Sequence, residues 1–563
     1  MEKTLLLAIL ILMAVAAILI FGIFIRFYKL DWGEGYFFHP DEYHIARAVN
    51  ELHFPDQMNP HLFSYGSFSV YSIYFLKSLW SFLASYGKLF TEIISPFLVG
   101  RFLSATYSSL NIYVVYLIAK NIFISKKQVL LATFFTAILP GIIQQAHFAT
   151  PESTVIFFLT LTLYLLLLFI KGKKEKFVYL SALTLGIAIA TKITSFLFSP
   201  LILITLLLGF RKNLLKNSAK IVKITLLSFL FLFSVFIIFF PYSLLDYTSF
   251  RNSLNYESAV ATGKQIVFYN RQFIDTIPLK FQLTKIFPYA IGVPLTIFGI
   301  LGFLKLFFEI IKKPLPKWTL HDKSWILIIF SFLNLLIPNS LLFAKWTRFV
   351  SPTFVYFPFF TVYFLSFPNH KQKLKYVTSK IFLFLTIISS AIWFSMFFSI
   401  YLGKDVRIKA TDWVKDNIPA GSIIFTETGN TLEVPLTGSY SKIPFDFYHL
   451  EENPRLKTQL ISDLARSDYF IIQSRRIYMN HERFPDKFPT VSNFYSALFS
   501  EKLGFAEIIR FNSFPKLEIG DWRLEIGDEI AEETWSVFDH PTIRIYKKIH
   551  PLAPTEYEKI LNY

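Results

Sequence analysis

Eight polar side chains, set in five separated stretches of the sequence, have the types needed for proton transfer and anion binding. Asp41, Glu42 and His44 lie in Phe38-His39-Pro40-Asp41-Glu42-Tyr43-His44. Arg101 precedes Phe102-Leu103-Ser104-Ala105, and Glu152 follows Ala149-Thr150-Pro151. Lys192 interrupts an apolar run at Ala190-Thr191-Lys192-Ile193, and Lys345 and Arg348 bracket Trp346-Thr347. A carboxylate can take the proton of an acceptor hydroxyl or amine. Lys and Arg can neutralise a phosphate, most strongly as it departs as a leaving group. Each group also has a plainer use. Acids after proline suit the first turn of a helix. Lys192 can snorkel to an interface, Lys345-Trp346-Thr347-Arg348 can anchor there, and Arg101 can serve a buried pairing. The chemistry becomes the better reading only if the chain brings the stretches to one place. His39 and His44 flank the acids; the sequence leaves a divalent metal open and does not require one.

The elements able to do this are membrane helices. Of 563 residues, 53% are hydrophobic and 17% are charged, against about a quarter charged in soluble domains. The mean hydropathy is +0.46. A disordered chain is excluded, and so are disulfides, cysteine zinc sites and thiol nucleophiles, because there is no Cys. Apolar runs of spanning length start with Thr4–Ile25 and continue at 97–119, 128–148, 153–170, 177–191, 193–210, 222–241, 286–308, 325–344, 349–367 and 381–403. This predicts a polytopic α-helical protein of about 11 transmembrane helices. Residues 66–86 are apolar and aromatic but carry Lys77 and several Ser.

Charge sets the expected orientation. The connections Lys120–Lys127, Lys171–Lys176, Arg211–Lys223, Lys305–Lys323 and Lys371–Lys380, with Glu2 and Lys3, hold 22 Lys/Arg against 4 Asp/Glu. The net charge of +17 is thus a positive-inside signal rather than a nucleic-acid footprint. Placing all five connections in the cytoplasm requires 66–86 to be an interfacial or re-entrant helix on the outer side. The N-terminus is then cytoplasmic, and loop 26–96, loop 242–285 and the tail face outward. Every stretch named above falls at the outer end of a span. The expected domains are a transmembrane module, 1–403, and an extracytoplasmic α/β domain, 404–563. In the tail, Ser422–Thr426, Tyr469–Gln473, Ala506–Phe511 and Ile543–Lys547 read as strands, and Val406–Ile418, 455–466 and 492–503 as helices.

At these residues the chain resembles the GT-C superfamily of integral-membrane glycosyltransferases. The resemblance is to the branch of protein O-mannosyltransferases, aminoarabinose transferase and bacterial phospholipid-carrier-dependent glycosyltransferases. His39-Pro40-Asp41-Glu42-Tyr43 matches the family's acidic pair on a juxtamembrane helix, and Arg101-Phe102-Leu103-Ser104-Ala105 its Arg-x-x-Ser-Ala span. Leu139-Pro140 and Thr150-Pro151-Glu152-Ser153 match the region of its second acid, and Gly186–Lys192 its small-residue run ending in Lys. Lys345–Pro352 resembles its Arg-Tyr-x-x-Pro stretch. The likeness runs in order over about residues 1–405. Two departures stand out: the second acid is Glu rather than Asp, and Phe63-Ser64-Tyr65-Gly66-Ser67 stands where aminoarabinose transferases carry Lys-Pro-Pro-Leu.

The resemblance implies inverting sugar transfer from a polyprenyl-phosphate donor to a protein, lipid or glycan acceptor on the extracytoplasmic side of the cell membrane; with no retention signal or organelle address evident, the expected cell is prokaryotic. It makes Asp41 the catalytic base, with Glu42 supporting it or orienting its helix. Glu152 would help to position the acceptor or an ion. Lys192, Lys345 and Arg348 would bind the donor phosphate, and Arg101 and His44 complete the substrate-binding candidates. Two other classes compete. A polytopic secondary transporter would place its charges near the midplane in paired repeats, and no such repeat is visible. A lipid-linked oligosaccharide ligase would use a pyrophosphate donor.

Overall fold

A computed structural model describes residues 2–86, 94–365, 373–427 and 433–561. The start of the expected basic connection Lys371–Lys380 lies outside the described residues. The chain divides into two compact units. The first comprises Met1–Leu30, Asp41–Gln265 and Thr276–Phe394; the second comprises Asp31–Pro40, Ile266–Asp275 and Ser395–Tyr563.

The first unit is helical. Its elements begin with α1 (Glu2–Phe27), α2 (Pro40–Asn50, whose Pro40 the second unit holds), α3 (Ser67–Tyr86) and α4 (Pro96–Ile122). They continue with α5 (Lys126–Ala137), α6 (Pro140–Ala146), α7 (Glu152–Gly172), α8 (Lys176–Thr191), α9 (Pro200–Phe210) and α10 (Ser218–Phe239). After the short α11 (Tyr242–Leu245) come α12 (Tyr247–Thr262), α13 (Val293–Lys312), α14 (Leu320–Leu341), the one-turn α15 (Thr347–Val350) and α16 (Tyr356–Phe364). Helix α17 (Lys373–Leu402) runs on into the second unit.

Among the described residues, eight helices are long and apolar enough to cross a membrane; counting α5 and α6, bent by 52°, as one span makes nine. The other two expected spans are too short by themselves. Helix α8 has 16 residues and stops where Lys192 turns extended. The 349–367 stretch is broken by a 3₁₀ turn at Ser351–Thr353 around Pro352, which leaves only nine residues in α16. Residues 67–86 form a single helix, α3, that is not among the apolar spans. Helix α7 is the most enclosed span and packs on α4 and α8, while α8 packs on α10. Arg26 ties α1 to the bundle: it is fully buried and donates to Ser108 Oγ at 2.8 Å and to the Ala137 carbonyl at 2.9 Å.

The second unit is an α/β sandwich. Strands β1 (Ile423–Glu427), β2 (Ser441–Phe445), β3 (Tyr469–Ile472), β4 (Phe505–Phe511) and β7 (Ile543–Lys548) form a sheet in the order β2-β1-β3-β7-β4. The β1 pairings with β2 and β3 are parallel, and β7 is antiparallel to both of its neighbours. Alternate residues face opposite sides, as strand geometry requires. Ile424 and Ile471 meet Val406, Ala410 and Val414 of α18 (Val406–Asn417). Phe425 and Phe470 meet Leu460 and Leu464 of α19 (Pro454–Arg466), and Phe494 and Leu498 farther on. Sequence pattern missed β2 and the hairpin β5 (Lys516–Ile519) and β6 (Trp522–Glu525), which are short and largely exposed.

Two loop segments belong to this unit and are gripped by it. The Arg407 guanidinium lies 3.8 Å from the Phe38 ring centroid, and His39 stacks on Phe538 at 4.1 Å. Gln272 donates to Glu532 at 2.7 Å.

Candidate active site

The acid-bearing helix α2 starts as its sequence dictates: Pro40 takes the first helical position, and Asp41 and Glu42 fill the first turn, where the peptide dipoles favour negative charge. One turn is enough to give the two carboxylates different surroundings. Glu42 points inward and is fully buried. It accepts from Arg101 Nε at 2.9 Å and Nη2 at 2.7 Å, and from the Ala149 backbone N–H at 2.6 Å. Arg101, also fully buried, donates its remaining nitrogen to the Leu30 carbonyl at 2.8 Å. Gly100 lets α4 come this close: a Cβ there would lie 2.6 Å from that of Ala149. This dry bidentate pair fixes α2 against α4 and the start of α7.

Asp41 points to an opening. It pairs with Arg348 and accepts from the Tyr65 hydroxyl at 2.9 Å, and Arg348 also donates to Tyr65 at 3.0 Å. The side chains of Asp41 and Arg348 remain 22% and 25% exposed. Gly66 holds Tyr65 in place: its N–H donates to the Thr191 carbonyl at 3.0 Å, and a Cβ would fall 2.0 Å from the Ala190 oxygen. The same contact brings the end of α8 alongside. Lys192, in extended conformation between α8 and a 3₁₀ turn, reaches Glu152 at 3.0 Å and lies over the Phe349 ring.

A cleft lined by Glu152, Lys192, Ser195, Asn339, Arg348 and Ser351 opens beside these pairs. Two polar atoms at it are buried with no partner among the described residues, Arg348 Nε and Ser195 Oγ. Both are donors, so the cleft is prepared for an oxygen-rich anion.

The structure therefore brings together Asp41, Glu152, Lys192 and Arg348. It places Glu42 and Arg101 beneath them as a buried pair. Lys345 is buried and turned away, donating to the Phe343 carbonyl at 2.9 Å and to Thr276 Oγ1 at 3.1 Å; burial pushes its ammonium below its usual range. His44 is exposed on α2. Among the described residues, no three of His, Asp and Glu are grouped to hold a metal ion.

This architecture matches solved structures. The oligosaccharyltransferase AglB of Archaeoglobus fulgidus superposes with a TM-score of 0.51 at 13% identity, over 86% of this chain and 72% of that one. The same enzyme tethered to an acceptor peptide gives 0.50 at 14% identity over the same shares. The chain has the GT-C fold. ArnT of Cupriavidus metallidurans, with undecaprenyl phosphate bound, gives a TM-score of 0.47 at 11% identity, over 85% and 94% of the two chains. Residues 83–239 also match the family profile described as dolichyl-phosphate-mannose-protein mannosyltransferase. That stretch carries Arg101, Glu152 and Lys192. No curated protein sequence matches the chain.

Sequence reasoning overlooked three residues at this candidate site. Tyr65 looked like part of a departure from the family pattern, yet its hydroxyl bridges Asp41 and Arg348. Burial raises its pKa well above the usual phenol range, so it remains a donor. Ser195 gives no signal within its apolar run. Glu257 lies on α12, whose C-terminal end is tied to the Lys345–Arg348 segment by the bond from Ala344 N to the Ala261 carbonyl at 3.0 Å. Glu257 lies within electrostatic reach of Arg348, Asp41 and Lys192, and it has no ion-pair or hydrogen-bond partner among the described residues. Its side chain reaches solvent, yet the surrounding protein and Asp41 push its carboxyl above the usual range, against the pull of Arg348 and Lys192.

Proposed function

We propose that the chain transfers a sugar from a polyprenyl-phosphate donor to an acceptor on the extracytoplasmic side of the cell membrane, with inversion at the anomeric carbon. The observation that carries this reading is the meeting of Glu152, Lys192 and Arg348 at a cleft with unpartnered donors, with Asp41 paired to Arg348 beside it, so that four distant stretches converge. Lys192, Arg348 and the Ser195 hydroxyl hold the donor phosphate. The acceptor oxygen or nitrogen attacks the anomeric carbon from the face opposite the phosphate. A bond from that carbon to the acceptor forms, the bond to the phosphate oxygen breaks, and the acceptor proton passes to Asp41. Lys192 and Arg348 stabilise the charge that builds on the departing lipid phosphate, which is where fixed cations lower a barrier most. Glu152 holds Lys192 in place and faces the acceptor side, and the Glu42–Arg101 pair keeps α2 in register. Lys345, bound to Phe343 and Thr276, supports the segment that presents Arg348.

Lipid-phosphate donors fit the neighbours of this fold: one AglB structure holds dolichol phosphate and an inhibitory peptide. Membrane lipid surrounds the spans, and the acceptor is a protein, lipid or glycan. The test is an assay of the purified full chain with a panel of polyprenyl-phosphate sugars, with and without chelator, following release of the lipid phosphate. Release with at least one donor is the expected result; inertness toward the whole panel overturns the reading, and turnover of pyrophosphate donors alone would replace it with the ligase.

A further inference from the structure

Away from the site, three connections of the helical unit bring cations together without matching acids. Lys173 caps the C-terminal end of α7, Arg211 and Lys212 follow the end of α9, and Lys323 lies in the first turn of α14. Lys173, Arg211 and Lys212 all act electrostatically on Lys323, which places the four charges in one cluster. Lys323 is spoken for, since its ammonium donates to the Leu208 carbonyl at 2.7 Å. The Arg211 guanidinium lies over the Trp318 ring, 4.8 Å from its centroid, and the residue stays half-exposed.

The acids nearby are already engaged. Glu175 pairs with Lys220 at 2.6 Å, and Asp322 pairs with Lys313 while accepting from the Thr319 N–H at 2.6 Å. Residues 211–223 hold five Lys/Arg and no acid. Among the described residues Lys173, Arg211 and Lys212 have no carboxylate partner. The helix C-termini account for part of this charge, but not for three exposed or half-exposed cations converging from two connections.

A soluble anion would explain the cations but not what lies between them. Leu214 and Leu215 lie between Arg211-Lys212-Asn213 and Lys216; Leu215 is 94% exposed and Leu214 39%. Two exposed leucines framed by cations, at the end of a membrane-spanning helix, match an amphiphile with an anionic head and apolar chains.

We propose that Lys173, Arg211 and Lys212 form a head-group site for an anionic phospholipid, with Leu214 and Leu215 packed among its acyl chains. The cations bind the phosphodiester and the leucines enter the hydrocarbon, so the site recognises the whole amphiphile.

The test uses purified full-length protein, delipidated in detergent, with phosphatidylglycerol or phosphatidylcholine added and retained lipid counted by native mass spectrometry. Wild type is expected to hold phosphatidylglycerol in clear preference to phosphatidylcholine. A basic residue near a lipid surface is worth about fivefold in affinity, so Lys173→Gln/Arg211→Gln/Lys212→Gln should weaken phosphatidylglycerol retention on the order of a hundredfold. Phosphatidylcholine retention should not change. The single variant Arg211→Gln, expected to lose about fivefold, replaces the triple if that fails to fold. Lys173→Arg/Lys212→Arg should keep the preference. Equal retention of the two lipids by wild type, undiminished phosphatidylglycerol retention in the glutamine variants, or displacement by millimolar inorganic phosphate would overturn the proposal.

Discussion

Asp41 with Arg348 in the helical unit, drawn from distant stretches, and His540 with its two aspartates in the sheet unit, which lie within 12 residues of it, are both charge clusters. They differ in how completely the protein closes over them. His540 is fully buried; Nδ1 meets Asp539 at 2.5 Å and Nε2 meets Asp528 at 2.9 Å. The other oxygen of Asp539 accepts from Tyr401 at 2.7 Å, and Trp535 donates to Asp528 at 2.8 Å. Nearby, Arg407 and Asp405 form an equally dry bidentate pair. At the candidate site the Asp41–Arg348 pair stays partly open, and Arg348 keeps an unpartnered N–H among the described residues. A closed network is sealed from solvent and fixes a shape, even where Arg407 Nη1 and Asp528 Oδ1 have no hydrogen-bond partner among the described residues. An open one leaves its donors where a ligand can reach them. The same contrast runs through α2 itself, where Glu42 is sealed and Asp41 is not.

The sharpest way to break the comparison is to cut the closed network. Against the burial that would lower it, Asp528 and Asp539 push the His540 pKa up to about 10, so the imidazolium is charged at neutral pH. His540→Ala leaves two buried carboxylates without a counter-charge and should destabilise the sheet unit by about 3–5 kcal/mol, read by denaturant unfolding of the full chain. A loss under about 1 kcal/mol would mean that closure does not mark structural charge.

A smaller effect should appear at Glu427, buried at the end of β1. Burial pushes its carboxyl up to about 7, although the Tyr495 hydroxyl at 2.5 Å and the Gln473 N–H at 2.9 Å favour ionisation. A raised folded-state value means the native state binds the proton more tightly than the unfolded chain. Stability is therefore greatest below the unfolded value near 4.5 and falls as pH rises toward 7. The fall is about 3 kcal/mol, from roughly 1.4 kcal/mol per pKa unit. His481, whose pKa burial pushes down to about 4, adds the opposite slope between that value and the ordinary imidazole value of 6.5. The reading is accordingly the difference between the wild-type and Glu427→Gln stability profiles. The variant should lack the Glu427 component, and parallel profiles would exclude it.

The smallest effect belongs to the open site. Glu257→Gln removes a charge but no ion pair among the described residues, so stability should stay within about 0.5 kcal/mol. Lipid-phosphate release should drop by about two- to tenfold, the range of one modest hydrogen bond. A large stability loss with unchanged release would move Glu257 to the structural class.

Much of this was legible in sequence because membranes enforce simple rules. Apolar length marked the spans, and Pro-Asp-Glu at 40–42 marked a helix start. The expected strands of the tail fell within a residue or so of β1, β3, β4 and β7: β1 and β3 are buried, mainly apolar runs, and β4 and β7 are rich in Ile, Phe and Tyr with charged residues at partly or fully exposed positions. Span number was less legible, since composition alone does not show that Lys192 and Pro352 interrupt helices. The division of labour between Asp41 and Glu42 was also hidden: neighbouring residues on a helix point about 100° apart, and only packing shows which direction is dry. Tyr65, Ser195 and Glu257 had no sequence signal, because their meaning lies in contacts between distant segments.

The central claim is that Asp41 is the base of a sugar-transfer site. The direct test compares wild type with Asp41→Asn using a polyprenyl-phosphate sugar that wild type turns over, with unfolding measured on the same samples. The account predicts that release of lipid phosphate falls by at least about a hundredfold, the lower range for a general base, while the protein remains folded and membrane-inserted. Release at the wild-type rate by folded Asp41→Asn protein would contradict it.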